Sequence, residues 1–224
     1  MDQWAPDLGW RRARLARVRL YLVTDDTTPL ADLPARAGAA AAAGVDAVQL
    51  RRKDVPWAAL VTVARACREA VHRQGGLFIV NDHAALAVAV DADGLHLGQD
   101  DQPLAAARAA IGPQRLLGLS THDLGQALAG AAAGADYLGV GPLHTTPTKP
   151  GRPACAPDLV AAVRSRVALP LVAIGGLDWD TVAAPLRAGA DAVAVVRAIC
   201  GSPDWGAAAH ALRWAVDTAV NAAS

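Results

Sequence analysis

The chain has 224 residues, of which 53% are hydrophobic and 19% are charged, a composition that excludes a disordered protein and suffices for one large domain. Its 21 basic residues balance its 21 acidic residues, so no overall field attracts nucleic acid or an anionic membrane, and any anion site must be local. The cysteines Cys67, Cys155 and Cys200 lack the spacing of a disulfide framework or a zinc site. The sequence contains neither a signal-peptide core nor an apolar run of about 18 residues, so we expect a soluble cytoplasmic protein.

A short pattern recurs along the chain and predicts its architecture. It reads "AAGVDAVQL" from Ala42, "AAGADYLGV" from Ala132 and "RAGADAVAVV" from Arg187, with a weaker copy, "VDADGLHLG", from Val90. In each clear copy a small-residue helix end is followed by glycine, an acid and an apolar strand. Glycine just past a helix tolerates the left-handed conformation that ends it. The pattern is therefore typical of a helix-to-strand joint, and its recurrence indicates repeated βα units.

Eight apolar runs are predicted as strands, and most are continuously apolar, as parallel strands covered on both faces should be. They are residues Leu20–Val23, Ala47–Leu50, Leu77–Val80, Gly94–Leu97, Leu116–Leu119, Tyr137–Val140, Leu171–Ile174 and Ala192–Val195. Stretches of helical length separate them, among them Trp57–His72, Leu124–Ala132 and Asp180–Ala188. The α/β pattern predicts a single (β/α)8 TIM barrel, with an open doubly wound sheet as the alternative. We expect an N-terminal extension or helix over residues 1–18, a barrel core over 19–200 and a C-terminal helix over 201–224.

Charged side chains follow the first four predicted strands, at the barrel end where TIM-barrel active sites form. The cations 51–53 follow the second strand, whereas Asp82 and Asp101 follow the third and fourth. This set matches a magnesium pyrophosphate, because Mg2+ takes a couple of carboxylates and phosphate oxygens while Arg and Lys bind the remaining charge. Asp25 and Asp26 are weaker metal candidates, since "DDTT" before a helix is also a capping sequence. The structural alternative is that these charges simply neutralise one another.

The last two predicted strands offer a second anion site. Gly175 and Gly176 follow the seventh strand and Arg197 follows the eighth. Strands 7 and 8 of such barrels often form a phosphate cup from backbone amides, and glycine lets the backbone approach an anion closely. The alternative for the glycine pair is a plain tight turn. With both anion sites occupied, the mouth of the barrel would hold two phosphorylated molecules.

At this point the sequence resembles the thiamine-phosphate synthase family. The motifs that carry the resemblance stand in the family's order from Leu20 to about Ile199: "QLRRK" (49–53), "VNDH" (80–83), "GLHLGQDD" (94–101), "GLSTHD" (118–123), "TPTK" (146–149), "AIGG" (173–176) and "AVVRAI" (194–199). Each motif is weak alone, except "VND…HLGQDD", which is fairly diagnostic, and the combination is specific. The resemblance implies condensation of 4-amino-2-methyl-5-hydroxymethylpyrimidine diphosphate with a thiazole phosphate, which gives thiamine monophosphate and pyrophosphate.

The resemblance also implies a role for each matching residue. The pyrimidine diphosphate would be bound by Gln49, Leu50, Arg51, Arg52, Lys53, Asn81, Ser120 and Lys149. The thiazole phosphate would be bound by Thr146, Pro147, Thr148, Gly176, Val196 and Arg197. One Mg2+ ion per subunit would be held by Asp82 and Asp101, and the catalytic set would be Arg51, Lys53, Ser120 and Lys149. The family's mechanism is viewed as dissociative, with departure of the diphosphate before the thiazole nitrogen captures a pyrimidine-methyl cation.

Two departures from the family pattern and one long loop carry further expectations. Arg197 stands where serine is frequent, and its guanidinium is expected to contact the thiazole phosphate. Ala156 and Pro157 replace a Gly-Leu pair, which indicates a different closure of the preceding loop. The segment from His144 to Pro153 is long for a βα loop, so we expect it to close over bound substrates.

Two other functions stay open from the sequence. A thiazole tautomerase on the same barrel would not need the paired magnesium carboxylates, although His122 could move protons in such an enzyme. A non-catalytic sensor of a phosphate ligand would tolerate loss of a metal ligand, and each expected ligand position is present. His96, inside the fourth predicted strand, is interpreted as an ordinary polar group without a role. The expected partners are small-molecule substrates, with no nucleic acid or membrane, and the sequence does not indicate the oligomeric state.

Overall fold

Eight parallel strands close into a barrel in the order β1 to β8 in the computed structural model, which describes residues 7–145 and 153–222. The strands are β1 (Leu20–Val23), β2 (Ala47–Leu50), β3 (Leu77–Asn81), β4 (Gly94–Leu97), β5 (Leu116–Thr121), β6 (Tyr137–Val140), β7 (Leu171–Ile174) and β8 (Ala192–Val195). The helices are α1 (Leu8–Leu15), α2 (Leu33–Ala42), α3 (Trp57–His72), α4 (Ala84–Ala89), α5 (Leu104–Ile111), α6 (Leu124–Ala132), α7 (Leu159–Arg164), α8 (Ala183–Arg187), α9 (Arg197–Cys200) and α10 (Trp205–Asn221). The predicted (β/α)8 barrel is therefore confirmed.

Most element boundaries agree with the sequence prediction, and the differences have local causes. β3 continues to Asn81 and β5 to Thr121, because the backbones of both residues stay in register with the next strand. Helix α8 begins at Ala183, later than the predicted Asp180. The preceding residues form a turn, in which the Asp178 side chain accepts hydrogen bonds from the backbone N–H and the hydroxyl of Thr181. Such Asx turns compete with the first turn of a helix.

The apolar side chains form two layers, as the two-residue period of the strands requires. One layer lies between barrel and helices and includes Leu22, Val48 and Phe78. The other fills the barrel interior and includes Tyr21, Ile79 and further strand residues. Helix α1 packs against β3 and β5, and its Leu15 joins the interior layer. Both layers leave the carboxyl ends of the strands available for a site.

The recurring acid is a clamp between neighbouring strands at the amino end of the barrel. The carboxylates of Asp46, Asp93, Asp136 and Asp191 accept backbone N–H groups of Leu20, Phe78, Leu117 and Leu171, at 3.0, 2.9, 2.8 and 2.8 Å respectively. Each acid thus joins an odd-numbered strand to the even-numbered strand that follows it. The backbone is left-handed at Gly44, Gly134 and Gly189 (φ 107°, 89° and 101°). In the weaker fourth copy Asp91 takes this place, with φ 51°.

Each clamp acid is also paired with a cation. Asp93, which is 1% exposed, lies 3.2 Å from Nε of the buried Arg11 and 2.7 Å from Nε2 of His72. Burial raises the pKa of Asp93, but the hydrogen bond and charge of His72, the Phe78 N–H and the charge of Arg11 together hold that pKa below its ordinary value. These carboxylates therefore stabilise the fold, whereas those at the opposite end are left for a site.

None of the described helices is long and apolar enough to cross a membrane.

Candidate active site

A cavity of about 290 Å3 opens at the carboxyl ends of the strands. Its wall includes seven of the residues that the sequence assigned to substrates: Gln49, Arg51, Asn81, Ser120, Gly176, Val196 and Arg197. They come from strands β2, β3, β5, β7 and β8 or from the loops that follow them. Closure of the barrel thus brings together side chains that lie far apart in the sequence.

The first cation after β2 is held in place by an acid from the neighbouring strand end. Arg51 Nη1 donates to Asp26 Oδ2 at 2.7 Å, and the Lys53 backbone N–H donates to Asp26 Oδ1 at 3.0 Å. The Arg51 backbone is bound on both sides by the hydroxyl of Thr24. The Arg51 side chain is 11% exposed, so solvent screens its charge only weakly. This geometry presents a fixed guanidinium at the cavity wall, and Asp26 serves to orient it.

Asp25 is a turn residue in this structure. Its carboxylate accepts from the Thr27 hydroxyl at 2.5 Å and from the Thr28 hydroxyl and backbone N–H at 2.7 and 3.0 Å. Burial raises the pKa of Asp25, but these hydrogen bonds outweigh it and lower the pKa. Arg52 donates to the Asp25 carbonyl oxygen at 2.9 Å. Asp25 therefore closes a local turn and caps no helix, because α2 begins only at Leu33, with Asp32 at its N-cap.

The two carboxylates expected to hold Mg2+ follow adjacent strands, β3 and β4. Asp82 has a left-handed backbone, with φ 61°, and its N–H donates to the His96 carbonyl oxygen at 2.9 Å. Asp101 Oδ2 accepts the Gly98 N–H at 2.6 Å. No group of three or more His, Cys, Asp or Glu side chains suited to a metal occurs among the described residues. Two carboxylates nevertheless fit Mg2+, which fills the rest of its shell with phosphate oxygens and water.

The opposite side of the cavity is lined by backbone at the ends of β7 and β8. Gly175 and Gly176 have left-handed backbones, with φ 109° and 66°. A Cβ atom at Gly175 would lie 2.5 Å from Pro142, and one at Gly176 would lie 2.8 Å from His144 Cβ, so larger residues do not fit there. Arg197 is exposed and begins the short helix α9. The close approach of the β6 and β7 loops explains this glycine pair, whose role in anion binding stays a prediction.

The floor of the cavity contains polar residues that sequence reasoning missed. His96, Tyr21 and Tyr137 all line the cavity. Their exposed fractions are 8%, 2% and 1%, respectively. His96 Nε2 lies 2.9 Å from Ser120 Oγ, and its Nδ1 lies 3.1 Å from the Tyr137 hydroxyl. His96 therefore belongs to the candidate site, and its interpretation as an ordinary strand residue without a role is corrected. The available signal was a polar side chain inside an otherwise apolar strand.

Other expected site residues either are not part of the cavity wall, as is the case for Leu50, Arg52, Lys53, Asp82 and Asp101, or lie outside the described part of the chain. Leu50 packs in the layer between barrel and helices, so its side chain faces away from the cavity. Thr146, Pro147, Thr148 and Lys149 lie outside the described residues, as does most of the segment expected to close over the site. The residues that flank that segment are joined at its base, where the Cys155 N–H donates to the Pro142 carbonyl oxygen at 2.7 Å.

Thiamine-phosphate synthases are found both among the similar sequences and among the similar solved structures. A family model described as thiamine monophosphate synthase matches residues 20–199. A thiamine-phosphate synthase of Mycobacterium avium is 48% identical over 199 residues, which cover 84% of this chain and 89% of that protein. A solved thiamine phosphate pyrophosphorylase from Pyrococcus furiosus superimposes with a TM-score of 0.82 at 31% identity, over 92% of this chain and 98% of that one.

Some relatives are longer than this chain. A thiamine-phosphate synthase of Gloeobacter violaceus is 47% identical over 198 residues, which cover 88% of this chain but only 57% of that protein. In a bifunctional thiamine biosynthesis protein of Symbiobacterium thermophilum the match covers 40% of the protein. This chain thus spans about half the length of these two relatives. The family model nevertheless covers most of the chain, and the chain belongs to the thiamine monophosphate synthase family.

Proposed function

We propose that this protein is a thiamine-phosphate synthase, a transferase. It would condense 4-amino-2-methyl-5-hydroxymethylpyrimidine diphosphate with the carboxylated form of 4-methyl-5-(2-phosphoethyl)thiazole, releasing pyrophosphate and, from the carboxyl group, CO2. The observation that carries the proposal is one cavity lined by an oriented arginine, Arg51, after β2 and by the glycine pair and Arg197 after β7 and β8. Two sets of anion-binding groups from different strand ends suit two phosphorylated substrates.

Departure of the diphosphate is the step that this cavity assists. Arg51 is fixed by Asp26 and only slightly exposed, so its guanidinium needs little reorganisation to bind a phosphate oxygen. Preorganised donors of this kind stabilise charge that develops on a leaving group. Lys53 follows two residues later, and its backbone is held by the same carboxylate. We therefore assign the leaving group to the carboxyl end of β2, with Lys149 as a further cation expected from the sequence.

Mg2+ is the implied metal, and the donor set of Asp82 and Asp101 fits it. When bound, the ion would supply positive charge against the diphosphate oxygens. The left-handed backbone of Asp82 costs free energy, and such strain in a non-glycine residue is frequent at functional sites. Its backbone N–H bond to the His96 carbonyl oxygen fixes the Asp82 backbone at the junction of β3 and β4.

The heterocycles would occupy the space between the two charged sides. Ser120, Asn81 and Gln49 supply polar groups for the pyrimidine ring at the floor of the cavity. Val196 and the backbone after β7 line the side assigned to the thiazole phosphate. Holding the two reactants in line contributes to rate without covalent participation of the protein.

The experiment that tests the proposal compares pyrophosphate release under four conditions: both substrates with Mg2+, each substrate alone, and both substrates without added metal. A synthase releases pyrophosphate fully only with both substrates and the metal. A tautomerase instead converts the thiazole isomer with no pyrophosphate, and a sensor binds ligands without turnover. A cytoplasmic location and small-molecule partners are parts of the same proposal.

A further inference from the structure

Five polar side chains form a series of hydrogen bonds across the floor of the cavity. Gln49 Nε2 donates to the Tyr21 hydroxyl at 2.9 Å, which lies 3.0 Å from the Tyr137 hydroxyl. The Tyr137 hydroxyl lies 3.1 Å from His96 Nδ1, and His96 Nε2 lies 2.9 Å from Ser120 Oγ. The first four members of this series are each less than 9% exposed, whereas Ser120 faces the cavity. We call the series the floor chain.

The direction of each bond in the floor chain follows from its Gln49 end. An amide nitrogen only donates, so the Tyr21 hydroxyl accepts there and must place its own proton elsewhere. Of the two groups bonded to the Tyr21 hydroxyl, only the Tyr137 hydroxyl has a lone pair that can accept this proton. Tyr137 then donates to His96 Nδ1, which must be unprotonated, and a neutral imidazole carries its proton on the other nitrogen. Nε2–H therefore donates to Ser120 Oγ.

We propose that the floor chain has this single direction, which holds His96 in the tautomer protonated at Nε2 and leaves the Ser120 hydroxyl to donate to an acceptor atom of the substrate. His96, Tyr137 and Tyr21 are then positioning residues that act through Ser120. Resting here on the proposed function, we assign the acceptor to a ring nitrogen of the pyrimidine, rather than to its amino group, which donates. A buried polar group selects strongly for a ligand atom that pairs with it.

Two glycines make room for the centre of the floor chain. Gly118 lies in β5 between His96 in β4 and Tyr137 in β6, and is in register with both. A Cβ atom at Gly118 would lie 2.2 Å from Tyr137 Cζ and 2.5 Å from His96 Nδ1. A Cβ atom at Gly139 would lie 3.3 Å from His96 Cε1. The contact between His96 and Tyr137 thus depends on the absence of a side chain at residue 118.

The tyrosines keep the protons that the floor chain requires. Burial raises the pKa of Tyr21 far above its ordinary value, although its hydrogen bonds with Tyr137 and Gln49 lower it. Burial also raises the pKa of Tyr137, and the neighbouring Tyr21 and Asp136 add to that effect. Both phenols therefore stay neutral over the usual pH range, and each has a proton to donate.

The direction is tested by 15N NMR of the ligand-free protein labelled at histidine. Spectra are recorded at about pH 8, above the ordinary histidine pKa of about 6.5, and His96 is assigned by comparison with His96→Asn. We expect a protonated Nε2 and an unprotonated Nδ1. A proton on Nδ1, alone or together with one on Nε2, would overturn the inference, because Tyr137 could not then donate to that nitrogen. This result does not depend on catalytic activity.

Two tyrosine variants form a matched pair for the same measurement. Tyr137→Phe removes the donor to Nδ1, so His96 should show a mixture of tautomers. Tyr21→Phe removes a hydroxyl one step further away and should leave the Nε2–H tautomer dominant, since Tyr137 still donates to His96. The opposite ranking of the two variants would contradict the direction from Gln49 to Ser120.

Kinetics then connect the floor chain to the substrate. Tyr137→Phe should lower kcat/KM for the pyrimidine diphosphate about fivefold, the effect of about one neutral hydrogen bond, and change KM for the thiazole phosphate less than about twofold. Because Tyr137 acts through Ser120, the double variant with Ser120→Ala should be no slower than Ser120→Ala alone. Multiplying effects would refute that coupling. Absence of synthase activity in the unsubstituted protein would refute the proposed function and the assignment to pyrimidine, whereas the NMR result would still decide the direction.

Discussion

Asp93→Asn should destabilise this protein more than the equivalent change in another copy of the same clamp. The substitution removes the charge that faces Arg11, and both side chains are nearly inaccessible, at 1% and 4% exposure. Removing one partner of a buried ion pair costs about 3–5 kcal/mol, because the other charge stays buried without full compensation. For a protein of this size about 3 kcal/mol corresponds to a Tm lowered by roughly 6–12 °C.

Asp191→Asn is the matched control. Asp191 occupies the same place in the repeat and also accepts a strand N–H, from Leu171. Its ion pair with Arg164 is more accessible, with the two side chains 41% and 28% exposed. Exposed pairs contribute about 0–1 kcal/mol, and asparagine retains an oxygen for the N–H of Leu171. We therefore expect a loss of about 1 kcal/mol or less for this variant.

Urea unfolding of both variants and the unsubstituted protein, followed by circular dichroism, measures these differences. The pKa of Asp93 is lowered in the folded state. The stabilisation that its charge provides is therefore present above the unfolded pKa of about 3.9 and is lost as pH falls through the lower folded value. The difference in free energy of unfolding between the unsubstituted protein and Asp93→Asn should therefore decrease in acid. Equal losses for Asp93→Asn and Asp191→Asn at neutral pH would refute the argument from burial.

Three further predictions concern the site and the thiols. Asp82→Ala or Asp101→Ala should abolish most turnover with little change in Tm, because loss of one of two metal ligands raises the barrier by several kcal/mol, on the order of a hundredfold or more in kcat. Near-normal rates at ordinary Mg2+ concentrations would show that the substituted residue is not a metal ligand. Arg197→Ser should raise KM for the thiazole phosphate about tenfold or more, as a charge-assisted hydrogen bond worth about 1.5–3 kcal/mol predicts, and an effect below about twofold would mean that its side chain makes no such contact. Cys67 and Cys200, whose thiol pKa burial raises to about 12, should react with a thiol reagent only after denaturation, and rapid labelling of the native protein at either one would contradict their burial.

The fold could be predicted from the sequence because its signals are local. The joint at Gly44 and Asp46 shows its glycine, acid and strand within a few residues, and the later copies repeat it. The same locality explains why the strand ends, and hence Arg51 and Asp82, could be placed at the carboxyl end of the barrel. The role of the Asp46 carboxylate was not predictable, because its hydrogen bond from Leu20 and its ion pair with Arg213 join distant parts of the chain.

The floor of the site was missed for the same physical reason. His96 contacts Ser120 and Tyr137 across two strands, so its role depends on the register of β4, β5 and β6. Nothing near His96 in the sequence indicates that Gly118 leaves room for this contact. Asp26 was likewise judged a weak metal candidate, and its ion pair with Arg51 appears only once β1 and β2 are side by side.

The most direct test of the central claim measures both products of one reaction. The protein is incubated with the pyrimidine diphosphate, the thiazole phosphate and Mg2+, and thiamine monophosphate and pyrophosphate are quantified over time. If the cavity joins the two substrates as proposed, the two products form at equal rates, and Arg51→Ala lowers both rates together by about tenfold or more, as loss of a charge-assisted contact to the leaving group predicts. Pyrophosphate release without thiamine monophosphate, or neither product from the folded protein, would contradict the claim.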